Sequence, residues 1–102
     1  MCGIAGIVSN GTLAEGAAET VERMVSLLHH RGPDGRGIYR DRGAILGHAR
    51  LSIIDLDGGA QPIHNEDRTL WVVFNGEIFN YIELREQLER QGHSFYTHTD
   101  TE

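Results

Sequence analysis

The sequence predicts a small α+β domain, in which helices and strands pack in layers. Short runs rich in β-branched and aromatic residues alternate with two segments whose apolar residues recur at helical spacing. Glycine, proline, asparagine and aspartate separate these segments, so the predicted order is strand, helix, several strands, helix and strand. With 102 residues, of which 39% are hydrophobic, the chain has the length of one domain with a modest core.

The first half of the chain contains the clearest helix. Cys2–Ser9 is predicted to form a buried strand, and Leu13–His29 an amphipathic helix. The segment His30–Gly37, with three glycines and a proline, is predicted to be a loop. Ile38–Arg40 and Ala44–His48 are predicted to form a hairpin around a glycine-containing turn. The apolar residues that define the helix are Ala17, Val21, Met24, Val25 and Leu28.

Three further strands are predicted after the hairpin. Arg50–Leu56 is one, ended by an Asp-Gly-Gly sequence, and Thr69–Phe74 is the run with the strongest features of a buried strand. Asn75-Gly76 follows that strand as a predicted tight turn. Ser94–Thr97 is predicted to form the last strand.

The second helix has recognisable end signals. Asn80 is predicted to cap its N-terminus, with Glu83 completing a capping-box pattern. Leu84 and Leu88 are predicted to face the core, and Gly92 to end the helix at the position where glycine is favoured.

Composition and spacing exclude several classes of function. A formal net charge of −6, without basic residues interleaved with aromatic ones, argues against nucleic-acid binding. No apolar run is long enough to span a membrane, and the N-terminus lacks signal-peptide features. The histidines show no metal-binding spacing, and no nucleotide-binding glycine pattern occurs. A single cysteine is compatible with a reducing compartment, so we expect a cytoplasmic protein with no metal site.

Cys2, the only cysteine, has two interpretations. Because a small residue after Met1 favours removal of the initiator methionine, Cys2 could become the N-terminus and carry both a thiol and a free α-amine. A thiolate is a good nucleophile, and an α-amine can take up a proton near neutral pH. The alternative is a cysteine that is simply buried in a first strand, which is common.

Five other residues each have a functional and a structural interpretation. Asn75-Gly76 offers a side-chain amide and a backbone N–H, which together could form an oxyanion hole, or it is only a hairpin turn. Arg50 could hold a carboxylate in a bidentate manner, or lie on the solvent face. Glu77 and Asp100 could bind an ammonium group, or be ordinary surface carboxylates.

Five separated segments resemble class II glutamine amidotransferases, and most closely the glutaminase domain of the glutamine-hydrolysing asparagine synthetase family. They are MCGIAGI at the start, HRGPDG at 30–35, GHARLSIIDL at 47–56, FNGEIFNY at 74–81 and THTDTE at 97–102. The resemblance runs from Met1 to Glu102 in order and without a large insertion. It implies that Arg31 organises the site rather than contacting substrate.

The resemblance also implies a role for each site residue. Cys2, with Met1 removed, would be the nucleophile and its α-amine the base, and Asn75 with Gly76 would form the oxyanion hole. Arg50 would bind the glutamine α-carboxylate. Glu77 and Asp100 would bind its α-ammonium group. The residues implied to line the rest of the glutamine pocket are Leu51, Ser52, Ile53 and Ile54.

By this resemblance the chain is a partial domain, residues 1–102, of an αββα sandwich of the N-terminal nucleophile hydrolase type, about its first half. L-Glutamine is the implied substrate. The glutaminase half needs no cofactor, whereas ATP and Mg²⁺ would serve only an absent synthetase domain that uses the ammonia to convert aspartate. We also expect an uncovered sheet face, and hence low stability or association, including a homo-oligomer, without the missing half. The alternatives are another class II amidotransferase with a different ammonia acceptor, or a non-catalytic interaction module if Met1 is retained.

Overall fold

The computed structural model describes all 102 residues and contains two small sheets and two helices. A three-stranded antiparallel sheet has the strand order β1-β3-β2, and a two-stranded antiparallel sheet pairs β4 with β5. The elements in chain order are β1 (Gly3–Val8), α1 (Ala17–Leu27), β2 (Gly35–Arg40), β3 (Ala44–Arg50), β4 (Ile63–His64), β5 (Trp71–Val72) and α2 (Tyr81–Arg90). The α+β class predicted from the sequence is confirmed.

Helix α1 covers one face of the three-stranded sheet and forms the core with it. Val21 and Val25 are buried against Ile45 and Ala49 of the central strand β3. Gly47 lets the helix approach this closely, because a Cβ at that position would overlap the side chain of Val25. The predicted first helix and the predicted hairpin are therefore confirmed, but their bounds differ. The helix starts later than its sequence pattern indicated, and β2 begins at Gly35, within the predicted loop His30–Gly37, because Gly35–Gly37 pair with β3.

The two-stranded sheet lies against the opposite face of the same sheet. Tyr39 of β2 stacks on Trp71 of β5 with 4.2 Å between ring centroids, and a Cβ at Gly37 would overlap the backbone carbonyl of Gln61. This covering layer does not extend over β1, whose residue Val8 is 76% exposed. The sequence-based expectation of an incompletely covered sheet agrees with this exposure.

Three predicted strands are wrong in extent or existence. Arg50–Leu56 does not form a strand beyond Arg50, because the chain turns back and the Arg50 guanidinium donates to the carbonyls of Ile54 and Asp55. Of Thr69–Phe74 only Trp71–Val72 pairs, and the paired strand remains partly exposed since it has a single short partner. Asn75-Gly76 forms a bend without the backbone hydrogen bond of a tight turn.

The third of these strands, Ser94–Thr97, is absent. The carboxylate of Glu102 accepts hydrogen bonds from the N–H groups of Tyr96 and Thr97, at 2.8 and 2.7 Å, and so takes donors that a sheet would need. The segment 93–102 is instead a series of bends.

Helix α2 begins and ends where the sequence indicates, but it packs differently. Asn80 occupies the N-cap position without a capping hydrogen bond from its side chain, so the predicted capping box is not formed. Gly92 follows the helix with φ of 98°, as predicted for its C-terminus. The prediction that Leu84 and Leu88 face the core is wrong, because α2 contains no buried residue. Neither helix of the chain has the length and apolar character needed to cross a bilayer.

Candidate active site

A cavity of about 440 Å³ opens where the start of β1 and the end of β3 meet the segments 74–79 and 99–101. Nine of the ten residues predicted from the sequence as site residues line it: Cys2, Arg50, Leu51, Ile53, Ile54, Asn75, Gly76, Glu77 and Asp100. Ser52 does not line the cavity; its N–H donates to the carboxylate of Asp34 at 2.7 Å. Residues far apart in the sequence therefore converge on one concave surface.

The thiol of Cys2 is positioned by the sheet. Because Gly3 pairs with Ala49, Cys2 lies beside the residues that leave β3. The N–H of Leu51 donates to the Cys2 sulfur at 3.3 Å, and the thiol lies 3.6 Å from the Leu51 carbonyl. Arg31 donates from its Nε to the carbonyl of Cys2 at 3.1 Å, which agrees with an organising role for that arginine. Met1, 71% exposed, also borders the cavity.

Arg50 is the only basic residue on the cavity wall. Its Nη2 donates to the carbonyls of Ile54, at 3.1 Å, and Asp55. These bonds fix the plane of the guanidinium, and Nη1 and Nε make no hydrogen bond within the chain. A planar guanidinium held on one side, with donors free on the other, is suited to bidentate binding of a carboxylate.

The backbone that leads into Asn75-Gly76 is held by side chains rather than by a sheet. The N–H of Phe74 donates to Gln61 Oε1 at 2.6 Å, and the Phe74 carbonyl lies 3.3 Å from His48 Nε2. Burial lowers the pKa of His48, so its ring is neutral near neutral pH and Nε2–H can serve as the donor. The Gly76 N–H makes no backbone hydrogen bond. A donor that is unpaired at the cavity surface is available to an oxyanion.

Asp100 and Glu77 are the two carboxylates of the cavity wall. Asp100 Oδ2 accepts a hydrogen bond from the N–H of Ile78 at 2.8 Å. The turn before Asp100 is held by Arg85, whose guanidinium donates to the carbonyls of Thr97 and Thr99 at 2.8 and 3.2 Å. A carboxylate held as Asp100 is held can bind an ammonium group.

Sequence reasoning missed several residues of the cavity wall. Gln61 also donates from Nε2 to Thr101 Oγ1 at 3.3 Å, and thus joins the 74–76 segment to the end of the chain. No spacing or motif around Gln61 indicates this contact, which depends on the fold of distant segments. Thr99 and Thr101 flank Asp100 and could have been inferred from that neighbourhood; the other missed residues are Met1, Gly59, Phe74 and Phe79.

No group of three or more histidine, cysteine, aspartate or glutamate side chains lies close enough together to hold a metal ion. The chemistry that the cavity offers is that of its thiol, its guanidinium, its amide donors and its carboxylates. Such a set fits nucleophilic attack on a carbonyl of a zwitterionic substrate.

Comparison with known proteins gives a match along the whole chain. The family model described as a glutamine amidotransferase domain matches residues 1–102. Asparagine synthetase [glutamine-hydrolyzing] 1 of Bacillus subtilis is 48% identical over 104 residues, which cover 100% of this chain and 16% of the relative. The probable asparagine synthetase of Dictyostelium discoideum is 46% identical, with 100% of this chain and 18% of the relative covered.

Asparagine synthetase B of Escherichia coli is 40% identical over 102 residues, covering 100% of this chain and 19% of the relative. The chain therefore spans less than a fifth of the length of these curated relatives.

Proposed function

The chain belongs to the glutamine amidotransferase domain family, and we propose that its cavity hydrolyses the side-chain amide of L-glutamine to glutamate and ammonia. The observation that carries the proposal is the convergence on one cavity of the Cys2 thiol, the Arg50 guanidinium, the Asn75-Gly76 donors and the Asp100 carboxylate. The names of the relatives, glutamine-hydrolysing asparagine synthetases, indicate that the ammonia serves asparagine synthesis.

Recognition of the amino-acid end follows from the charges on the wall. The free Nη1 and Nε donors of Arg50 bind the α-carboxylate, and Asp100 with Glu77 binds the α-ammonium group. Leu51, Ile53 and Ile54 contribute apolar surface beside the methylene groups of the substrate. With both charged ends held, the γ-amide is directed towards Cys2.

The chemistry begins after removal of Met1, when Cys2 carries the free α-amine. The α-amine takes the thiol proton, the sulfur attacks the γ-amide carbon, and the tetrahedral oxyanion accepts hydrogen bonds from the Asn75 side chain and the Gly76 N–H. Collapse of the intermediate breaks the C–N bond, and the α-amine returns the proton to the departing ammonia. Water then hydrolyses the γ-glutamyl thioester, giving glutamate and the free thiol.

The complete assembly is larger than these 102 residues. We propose that the two sheets described above belong to an αββα sandwich, whose remaining strands cover the exposed side of β1. The ammonia is used by a synthetase domain that requires ATP and Mg²⁺ and acts on aspartate. The single cysteine and this biosynthetic role favour the cytoplasm.

The test is intact-mass spectrometry of the purified protein before and after incubation with 6-diazo-5-oxo-norleucine. This glutamine analogue carries both α-groups and alkylates a cysteine with loss of dinitrogen. We expect the mass to lack the initiator methionine and to gain one adduct on Cys2, which L-glutamine suppresses. The Cys2→Ser variant is the matched control, because serine also favours methionine removal but is a much weaker nucleophile.

A retained methionine together with an unmodified Cys2 would contradict the proposal. An adduct that L-glutamine does not suppress would show a reactive thiol without a glutamine site.

A further inference from the structure

The segment that follows β3 turns back on itself at Asp55. This residue has φ of 53°, in the left-handed region that few residues other than glycine adopt, although aspartate and asparagine tolerate it. Its backbone carbonyl accepts a hydrogen bond from the guanidinium of Arg50. Asp55 is half-buried and does not line the cavity.

The side chain of Asp55 reaches a second, distant segment. Oδ1 accepts a hydrogen bond from the N–H of Gly58 at 2.9 Å, and Oδ2 accepts one from the N–H of His98, also at 2.9 Å. The His98 N–H lowers the pKa of the Asp55 carboxyl more than any other neighbour does, so the carboxylate is charged at neutral pH. The two segments are in close contact, because a Cβ at Gly59 would overlap the side chain of Thr99.

His98 lies in the turn that immediately precedes Asp100. Asp55 therefore contacts both groups that are expected to recognise the amino-acid end of the substrate: Arg50 through its carbonyl, and the turn of Asp100 through its carboxylate. Since the residue touches neither the cavity nor the reacting atoms, any contribution to the site is exerted through these two partners.

We propose that Asp55 is a positioning residue that fixes the distance between the carboxylate-binding Arg50 and the ammonium-binding Asp100. The proposal rests on the function proposed above, because it takes those two residues as the recognition groups for glutamine. Asp55 thereby determines how well the site fits an α-amino acid, and it has no part in the attack by Cys2.

A carboxylate is needed here because two N–H groups donate to the same side chain. Asparagine has one acceptor oxygen and can serve only one of them, while it keeps the size of the side chain and tolerates the left-handed backbone. Asp55→Gly keeps the backbone conformation and removes both hydrogen bonds. The matched control is Asp57→Asn, which makes the same charge change at an exposed residue of the same loop.

The experiment compares two reagents for Cys2 in the same protein. 6-Diazo-5-oxo-norleucine requires recognition of both α-groups, whereas iodoacetamide requires only an accessible thiol. In Asp55→Asn we expect the half-saturating concentration of the first reagent to rise about tenfold, because a charge-assisted hydrogen bond is lost. The maximal rate of labelling should change by less than about twofold, and Asp55→Gly should show a rise at least as large.

Alkylation by iodoacetamide should be unchanged in both variants, and Asp57→Asn should match the wild type with both reagents. If Asp55→Asn and Asp55→Gly had the same half-saturating concentration of 6-diazo-5-oxo-norleucine as the wild type, the inference would be overturned. Equal slowing of both reagents would overturn it too, because it would assign Asp55 a role in the fold alone. A wild-type protein in which the glutamine analogue fails to label Cys2 would instead refute the proposed function, and the inference with it.

Discussion

The cavity lies between two regions that are held together by different forces. On one side, α1 and the three-stranded sheet bury Val21, Val25 and Ile45 completely. On the other side, α2 has no buried residue, and two side chains fix the turn beside it: Arg85 donates to backbone carbonyls and Glu102 accepts from backbone N–H groups. The first region depends on apolar burial, and the second on polar contacts near water.

This difference separates the two tasks of the proposed site. Cys2, the proposed nucleophile, is attached to the apolar region, whereas Asp100 belongs to the polar one. Local opening costs less where few apolar contacts are broken. Mutations in the polar region should therefore weaken substrate binding while they leave the position of the Cys2 thiol unchanged.

The largest expected effect is the loss in free energy of unfolding when a core residue of the apolar region is truncated. Ile45→Ala leaves a cavity in the core and should lower the free energy of unfolding by about 2–5 kcal/mol. Val8→Ala, a truncation at an exposed position of the same sheet, should cost less than about 0.5 kcal/mol. Urea unfolding followed by the fluorescence of Trp71, the only tryptophan, measures both. Equal losses would show that the sheet has no distinct core.

The next effect concerns the polar region. Arg85→Lys cannot hold two carbonyls in one planar fork and loses the stacking on Phe95, 4.4 Å away. We expect the half-saturating concentration of 6-diazo-5-oxo-norleucine to rise about fivefold while unfolding shifts by less than about 1.5 kcal/mol. Arg90→Lys, an exposed change on the same helix, is the control. A stability loss as large as that of Ile45→Ala would remove the distinction between the regions.

A smaller effect should appear as pH is lowered. Burial depresses the pKa of His48 in the folded chain, so the unfolded chain binds more protons below pH ~6.5. The contribution of the neutral His48 ring to the free energy of unfolding should be fully present above that pH. It should fall as the pH drops towards the folded pKa, with a slope that corresponds to the uptake of less than one proton on unfolding. Unfolding measured between pH 7 and 5, roughly the range in which histidine titrates, tests this. In His48→Gln, which keeps an N–H donor, the slope in that range should be smaller than in the wild type.

The smallest effect lies on the solvent side of α2. Glu86 and Arg90 form an exposed ion pair at 3.2 Å, one helical turn apart. Glu86→Gln should change the free energy of unfolding by about 0.3–0.5 kcal/mol, and less in high salt. A loss above 1 kcal/mol, about the upper limit for exposed pairs, would show that α2 is stabilised by its surface charges.

Sequence patterns predicted the apolar region well and the polar region poorly. Helix α1 and the hairpin of β2 and β3 are specified by local spacing and turn residues, which the sequence displays directly. The predicted strand at 50–56 fails because the chain turns back and the Arg50 guanidinium donates to the carbonyls of Ile54 and Asp55. The predicted strand at 94–97 fails because the Glu102 carboxylate accepts from its backbone N–H groups. No periodicity reports contacts such as that of Asp55 with His98, 43 residues away.

For the cavity itself, the residues named from the sequence reflect family resemblance more than chemistry readable from spacing. For Cys2 and for Asn75-Gly76, the local sequence favoured the structural interpretation over the functional one. Nothing in the sequence around Gln61 indicated a role in the cavity, although it bonds to both Phe74 and Thr101.

The place of Met1 on the cavity wall has a practical consequence for making the protein. Anything fused in front of Cys2 would lie in the space that the substrate is proposed to occupy, as Met1 does. It would also convert the α-amine into an amide, which cannot accept the thiol proton. A purification tag or fluorescent fusion therefore belongs elsewhere in the chain, and we expect a preparation tagged at its N-terminus not to be labelled by 6-diazo-5-oxo-norleucine.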